Sequence, residues 1–166
     1  MGLKTEIYDA KLKQKVLVPL HDTAVCLRTC GPVAPPKKDR GLFPLAITFD
    51  FDHTLIEYAY DDEYGFVHVG TNQEILAHLK EAKRAGCEVF IVTARRKGEE
   101  KNRPFSVSVK DWMHQEGVEV DGVYFTEGGL KAQTLLELGS ILHYDDDPEE
   151  IYAAEHAGIP TVFVEA

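Results

Sequence analysis

The stretch PLAITFDFDHTL, residues 44–55, joins an apolar run to two acidic residues. Leu45 to Phe49 has the length and the β-branched and aromatic content of a buried strand. Asp50 and Asp52 follow directly, and residues two apart at the end of a strand lie on the same side of the pleat. The stretch therefore predicts a strand that brings two carboxylates to one point.

After this strand, short apolar segments alternate along the sequence with amphipathic segments that carry helix-capping residues. Four further strands are predicted: Val89 to Thr93, Val120 to Phe125, Ile141 to Tyr144 and Thr161 to Val164. Helices are predicted between them, from Thr71 to Gly86, Pro104 to Gly117, Leu130 to Leu138 and Asp147 to Gly158. This alternation is typical of a parallel sheet with crossover helices. We predict an α/β fold, a Rossmann-like parallel five-stranded sheet with helices on both faces.

The first of these helices has the clearest sequence signals. Thr71 and Glu74 have the spacing of a capping box, and Gly86 suits the left-handed residue that ends a helix. Its predicted buried stripe has four members: Ile75, Leu76, Leu79 and Ala82.

Charge divides the chain into two parts. Residues 1–43 hold 8 Lys and Arg against 4 Asp and Glu, whereas residues 44–166 hold 10 against 24. In the first part, residues 16–18 and 24–27 look extended, and residues 31–38 form a Pro-rich linker. We predict a basic N-terminal extension over 1–43, which alternatively only packs on the domain edge, and one domain over 44–166.

The whole composition excludes several classes of protein. The net charge of −10 argues against a protein whose entire surface binds a polyanion. Three cysteines provide neither a disulfide framework nor a four-thiolate metal site, which favours a reducing compartment. No apolar run has the length of a membrane span or the form of a signal peptide. We expect a cytoplasmic protein without a membrane partner.

A second acidic run, Asp145-Asp146-Asp147, follows a later predicted strand. Parallel sheets bind ligands beyond the carboxyl ends of their strands, so this run and the Asp50 and Asp52 pair meet if their strands are neighbours. Clustered carboxylates need a positive partner, and hard oxygen ligands suit Mg²⁺. The sequence predicts a Mg²⁺ site, although Asp147 alone is better explained as a helix cap.

Three further residues are candidates for binding an anion. Thr93 ends a predicted strand, and Arg95 follows two residues later. From Asp111 to the C-terminus, which holds 13 Asp and Glu, Lys131 is the only Lys or Arg. A lone cation in such an acidic segment is expected to have a specific place, the alternative being a solvated surface residue.

Together these residues resemble the four motifs of the haloacid dehalogenase (HAD) superfamily of phosphohydrolases. Asp50-Phe51-Asp52-His53-Thr54 resembles the first motif, Thr93 the second, Lys131 the third and Asp145-Asp146 the fourth. One residue departs from the pattern: His53 stands where the family usually has Gly, so we expect a different turn after Asp52.

The resemblance implies a role for each matching residue. Asp50 would be the nucleophile that forms an aspartyl-phosphate, and Asp52 the general acid and base, for which we expect a raised pKa. Thr93 and Lys131 would bind the phosphoryl oxygens, and Thr54 would orient the loop beside the substrate. The implied Mg²⁺ ligands are Asp50, the backbone carbonyl of Asp52, and a carboxylate from either Asp145 or Asp146. The implied reaction is phosphomonoester hydrolysis.

The family selects small substrates with a large cap domain, for which this sequence has no room. Residues 55–71 are just long enough for a β-hairpin flap, with strands over 56–60 and 66–69 and an acidic turn at Asp61-Asp62-Glu63. An uncapped site suits a phosphate at the end of a large substrate, or a site that a second subunit covers in a homo-oligomer.

Residues 95–103 hold five cations and two anions, which favours a nucleic-acid end as the phosphorylated partner. The phosphatase domain of polynucleotide kinase 3′-phosphatases is similar, with an Arg two residues after the second-motif hydroxyl, as Arg95 follows Thr93. On that likeness Arg95 is a predicted substrate-binding residue. Three alternatives are a phosphoprotein phosphatase, a small sugar or acid phosphate phosphatase, and a non-catalytic binding module.

Overall fold

The computed structural model describes residues 4–9, 14–19 and 44–166. Strands β1 (Lys4–Asp9) and β2 (Gln14–Pro19) form an antiparallel pair. Residues 16–18 lie in β2, as predicted, but its partner β1 was not predicted. The predicted extended segment 24–27 and the linker 31–38 lie outside the described residues.

The central sheet has five parallel strands in the order β7-β6-β3-β8-β9. They are β3 (Ala46–Phe49), β6 (Glu88–Thr93), β7 (Gly122–Phe125), β8 (Ser140–Asp145) and β9 (Thr161–Phe163). Each predicted strand is confirmed to within two residues at either end. Because β3 lies between β6 and β8, the carboxyl ends of these three strands meet at one edge of the sheet.

Helices cover both faces of this sheet, as predicted. They are α1 (Gln73–Arg84), α2 (Val109–Glu116), α3 (Ala132–Leu138) and α4 (Pro148–His156). Side chains of β6 alternate between the faces: Val89 and Ile91 belong to the apolar cluster that includes α1 and α2, and Val92 belongs to the one that includes α3 and α4. Two cores therefore hold the sheet, one on each side.

Two helix starts differ from the sequence prediction. The N-cap of α1 is Asn72, whose side chain accepts a hydrogen bond from the Ile75 N–H, and not Thr71. The second helix begins after Ser108 and not at Pro104, because residues 103–107 are irregular. The four predicted buried positions of α1 are confirmed, as is the Asp147 cap of α4.

The predicted flap is present as an antiparallel hairpin of β4 (Ile56–Asp61) and β5 (Gly65–Thr71). No cap domain interrupts residues 44–166. Across the described ranges, no helix combines the length and the apolar character that a bilayer crossing requires.

Candidate active site

The two acidic clusters lie side by side at the carboxyl ends of β3 and β8. The Asp50 N–H donates to the Tyr144 carbonyl at 2.8 Å, which joins the two strand ends. Carboxylate oxygens of Asp50, Asp145 and Asp146 lie within 4.8 Å of one another. The predicted convergence of these distant sequence segments is therefore confirmed for Asp50, Asp145 and Asp146.

Lys131, the residue before α3, places its ammonium group between two of these carboxylates. Its Nζ lies 2.7 Å from Asp50 Oδ1 and 2.6 Å from Asp145 Oδ2, and the side chain is buried. The Lys131 N–H donates to Glu150 Oε2, which fixes the backbone. Burial disfavours the charged lysine, but Asp50 and Asp145 outweigh it and raise the Lys131 pKa. The alternative of a solvated surface lysine is wrong.

Asp50 is more basic than an ordinary aspartate. Its pKa is raised to about 8, chiefly by burial. The charge of Lys131 lowers this pKa, and the charge of Asp145 raises it further. One ammonium group shared by two buried carboxylates leaves a negative charge in excess. The cluster thus favours either a proton or a cation at Asp50.

Asp145 is held in place by a chain of buried polar groups. The ring of His143 lies with Nε2 2.9 Å from Asp145 Oδ2 and Nδ1 2.9 Å from Thr48 Oγ1. Burial lowers the pKa of His143, so the neutral ring donates from Nε2 and accepts at Nδ1. Burial alone would raise the Asp145 pKa, but His143 and Lys131 outweigh it and lower it. Asp145 is therefore the ionised partner of Lys131.

Asp146 and Thr54 complete the carboxylate cluster. Thr54 Oγ1 lies 3.1 Å from Asp50 Oδ2 and 3.3 Å from Asp146 Oδ1, so its single proton serves one of them at a time. Burial and the charge of Asp145 raise the pKa of Asp146. Asp147 is a helix cap, since its carboxylate accepts from the Glu149 N–H at 2.8 Å.

Asp52 forms a separate ion pair with Arg95. The guanidinium donates from Nε to Asp52 Oδ2 and from Nη2 to Asp52 Oδ1, both at 2.7 Å. Tyr58 donates its hydroxyl to the same Oδ1 at 2.5 Å. Nη1 donates to the Val107 carbonyl at 2.7 Å, and Nη2 lies 2.9 Å from Ser106 Oγ. The pair is thus anchored to the loop before α2.

This geometry corrects two predictions. Burial would raise the pKa of Asp52, but the hydrogen bonds and charge of Arg95 outweigh it and hold that pKa below its usual range. The predicted raised pKa is therefore wrong for this state. Arg95 is buried, stacks over the Phe51 ring at 4.6 Å, and has protein acceptors for all its N–H groups, including Glu100. The sequence also predicted that Asp52 joins the carboxylate cluster, but Asp52 pairs with Arg95 instead. The predicted binding of substrate by Arg95 stays a prediction, since protein acceptors engage its side-chain donors in this structure.

Thr93 lies at the same edge of the sheet. It ends β6, whose register with β3 pairs Ile91 with Phe49, so Thr93 lies alongside the start of the loop after β3. Its side chain is buried, and its Oγ1 accepts the Arg95 N–H at 3.3 Å.

His53 has a left-handed backbone with a φ of 59°, the conformation that Gly adopts most easily. The φ at this position therefore gives no sign of the different turn that the His was predicted to cause. Its ring lies 4.6 Å from the Tyr58 ring and 5.2 Å from the Phe66 ring, between centroids. The side chain therefore connects the loop after β3 to the flap.

Comparisons with known proteins identify the fold alone. No protein-family model matches the chain, and no curated protein does. A solved structure described as the Pnkp1/Rnl/Hen1 complex contains a similar chain, with a TM-score of 0.54 and 14% identity. The match covers 92% of this chain and 53% of that chain, so this chain spans about half the length of its structural neighbour.

The donor set fits a metal ion. Asp50, Asp145 and Asp146 offer hard carboxylate oxygens within 4.8 Å of one another, and such oxygens bind divalent cations. The excess negative charge of the cluster also favours a cation.

Sequence reasoning missed the residues that support this cluster. His143 has the i, i+2 spacing to Asp145 that places both side chains on one side of β8, and Thr48 is a polar residue inside an apolar strand. Those two signals could have identified the buried chain. Tyr58 gave no signal, because its contact with Asp52 depends on how the hairpin folds back.

Proposed function

We propose that this protein is a Mg²⁺-dependent phosphomonoester hydrolase that acts through an aspartyl-phosphate. The observation that carries the proposal is the Lys131 ammonium group, held 2.7 Å from Asp50 at the carboxyl edge of a parallel sheet. A cation beside a carboxylate at that edge suits the binding of a phosphoryl group that the carboxylate attacks. The proposal agrees with the resemblance of the four motifs to the HAD phosphohydrolases.

In the first step a carboxylate oxygen of Asp50 bonds to phosphorus as the bond to the leaving oxygen breaks. Asp52, which is ionised beside Arg95 before the substrate arrives, would take up a proton as the substrate binds and give it to that leaving oxygen, which departs as an alcohol. In the second step water attacks the aspartyl-phosphate, its proton returns to Asp52, and inorganic phosphate leaves. Lys131 and Thr93 would bind the phosphoryl oxygens on which charge accumulates.

The hydrogen bonds around Asp145 and Asp146 divide their proposed roles. Asp145 Oδ2 accepts from Lys131 and His143, and its Oδ1 accepts from the Asp147 N–H. Asp146 Oδ1 accepts only the longer bond from Thr54 among the described hydrogen bonds. We therefore assign Asp146 to Mg²⁺ and Asp145 to holding Lys131.

Asp50, Asp146 and the backbone carbonyl of Asp52 would hold the ion. Mg²⁺ would neutralise charge on the transferring group and favour the ionised form of Asp50.

A phosphate at a nucleic-acid 3′ end, or on a nucleotide, is the substrate that the charges favour. Of the described cations beside the site, Arg96, Lys97, Lys101 and Arg103 are exposed. Arg103 Nη1 lies 3.6 Å from Asp52 Oδ2, next to the proposed leaving group. Such cations suit neighbouring phosphates of a strand without reading its bases.

Asp50→Asn tests the activity. This variant should lose essentially all Mg²⁺-dependent phosphate release, because an amide does not attack phosphorus, while it keeps the circular dichroism of the native fold. Asp147→Asn is the matched control: it changes the adjacent acidic run but keeps a good N-cap, so its turnover should match that of the natural protein. Equal turnover by the Asp50→Asn variant would overturn the mechanism.

The substrate class needs a separate comparison. The panel holds a 3′-phosphorylated oligonucleotide, mononucleotides, sugar phosphates and a phosphopeptide, each with Mg²⁺ and with EDTA at low salt. We expect the highest kcat/KM for the oligonucleotide. If the oligonucleotide is the worst substrate, the nucleic-acid assignment is wrong even when the phosphatase assignment holds.

A further inference from the structure

We propose that one face of the flap is a stacking site for the nucleobase next to the scissile phosphate. This inference rests on the proposed function and specifies its substrate as a nucleoside 3′-phosphate end. The site consists of the rings of His53, Tyr58, Tyr60 and Phe66, which we name the aromatic track.

The pairing of the hairpin puts these rings on one face. Tyr58 pairs with His68, and Tyr60 pairs with Phe66, so alternate residues of β4 and β5 share a side. The Tyr60 and Phe66 rings meet edge to face at 5.6 Å between centroids. Val69 lies outside this set: the register shifts between the Glu57–Gly70 and Tyr58–His68 pairs, so Val69 is the unpaired residue of a β-bulge.

The aromatic track begins at the proposed general acid and runs outward. Tyr58 donates to Asp52, the His53 ring packs on Tyr58 at 4.6 Å, and the Phe66 ring meets His53 at 5.2 Å. A substrate whose leaving oxygen lies at Asp52 would therefore extend along these rings.

The outer rings of the aromatic track are exposed. Phe66 is 60% exposed and Tyr60 is 69% exposed. Neighbouring apolar area is also open, since the Tyr64 and Phe105 rings, tilted by 38° with centroids 4.7 Å apart, are each about half exposed. Large aromatic rings that remain in water beside a site mark a surface for a ligand.

Backbone strain supports the same place. His53 and Phe105 both have φ near 60°, a left-handed conformation that is unfavourable for residues with a bulky side chain. The Phe105 carbonyl accepts the His68 N–H at 2.8 Å, which ties its loop to the hairpin. Strain of this kind is concentrated at functional sites, and two of the three described non-glycine residues with positive φ carry rings beside the flap, the third being Glu127.

The order of the rings favours a nucleoside over an aryl phosphate. In phosphotyrosine the ring is bonded directly to the ester oxygen, so it would lie at Asp52. The exposed rings are instead separated from Asp52 by Tyr58 and His53, and a nucleoside has a sugar between phosphate and base that spans such a gap. The exposed cations of 96–103 would attract the neighbouring backbone phosphates of a nucleic-acid strand, whereas the acidic turn at 61–63 would repel them.

The test compares two substrates and two variants. The substrates are a short 3′-phosphorylated oligonucleotide and the same oligonucleotide with an abasic 3′-terminal residue. Phe66→Ala should reduce the kcat/KM ratio of the first to the second about tenfold, because base stacking on an aromatic ring is lost. Val69→Ala removes a similarly exposed apolar side chain that belongs to the same hairpin but not to the aromatic track, and it should change the ratio less than twofold.

Binding to the Asp50→Asn protein separates this inference from the proposed function. Fluorescence anisotropy with labelled oligonucleotides should show the same tenfold loss of base preference when Phe66→Ala is added, even if no substrate is turned over. Phe66→Leu keeps apolar bulk without a planar ring and should resemble Phe66→Ala. An unchanged base preference in folded Phe66 variants, or a phosphotyrosine peptide that outcompetes the oligonucleotide, would overturn the stacking site.

Discussion

The protonation states of Asp50 and Asp52 in this structure are the reverse of those that the proposed chemistry needs. A nucleophile must be ionised and a general acid protonated, but burial raises the Asp50 pKa to about 8 while Arg95 outweighs burial and lowers that of Asp52. Because metal binding favours ionised ligands, a cation at Asp50 would displace its proton. On the proposed function, we expect Mg²⁺ to bind at Asp50 before the phosphoryl group is transferred.

The raised pKa of Asp50 predicts how stability varies with pH. The folded pKa of about 8 lies above the ordinary aspartate pKa of 3.8, so the stability that this group contributes is complete below about pH 4 and is lost as pH rises towards 8. In EDTA, between pH 5 and 8, the natural protein should lose a few kcal/mol of unfolding free energy relative to Asp50→Asn. Thermal melts at each pH measure this difference. Parallel pH curves for the two proteins would contradict the assigned direction.

The position of Arg95 predicts a defect in turnover more than in affinity. Arg95→Lys keeps the charge but loses the bidentate hydrogen bonds to the Asp52 carboxylate. We therefore expect kcat to fall about tenfold to a hundredfold with KM nearly unchanged. Arg96→Lys makes the same exchange at an exposed arginine and is the matched control. Steady-state kinetics of both variants decide the matter: a KM effect without a kcat effect would mean that Arg95 binds substrate directly.

At the scale of elements, the sequence predicts the sheet well because each strand has a local signal. Val89 to Thr93 is apolar and β-branched, and the structure has β6 over Glu88–Thr93. The start of α2 was misplaced because the Ser106 hydroxyl and the Val107 carbonyl bind Arg95 and hold that backbone out of a helix. Such a contact depends on tertiary structure, which local patterns do not encode.

Thr71 illustrates the same limit for a helix cap. Its hydroxyl donates to Glu116 Oε1 at 2.6 Å and accepts from Trp112 Nε1 at 3.0 Å, so it joins β5 to α2 and leaves the α1 cap to Asn72. The capping-box spacing was present, but the stronger tertiary partners lie more than 40 residues away in sequence.

This contact predicts a loss of stability. Thr71→Val keeps the shape of the side chain but leaves the fully buried Trp112 N–H without its acceptor, which should cost about 1–3 kcal/mol. Urea unfolding followed by the fluorescence of Trp112, the single tryptophan of the chain, measures the change. Thr71→Ser retains the hydroxyl and should lose clearly less. Equal losses in both variants would show that the hydroxyl contributes nothing.

Over the whole molecule, the charge of residues 44–166 is strongly negative, but the segment 96–103 is a small basic patch. Residues 44–166 hold 24 Asp and Glu against 10 Lys and Arg, yet four exposed cations gather in 96–103 beside the site. The carboxylate cluster was predictable because both acidic runs follow strands, and parallel strands end at one edge. The pairing of Asp52 with Arg95 was not, because it needs the positions of the flap and of the loop before α2 together.

This distribution predicts the salt dependence of oligonucleotide binding. We assume that the four exposed cations of 96–103 each contact one phosphate. A plot of the logarithm of the association constant against the logarithm of salt concentration should then have a slope of about −3, because each contact with a single strand contributes ~0.7. Anisotropy titrations of Asp50→Asn at several salt concentrations give this slope, and adding Lys97→Gln should make it shallower by about 0.7. A slope steeper than about −5 would require more cations than the segment 96–103 holds. The 8 Lys and Arg of residues 1–43 would then be the candidates for the additional contacts. A slope near zero would exclude phosphate contacts beyond the scissile group and leave a mononucleotide as the substrate.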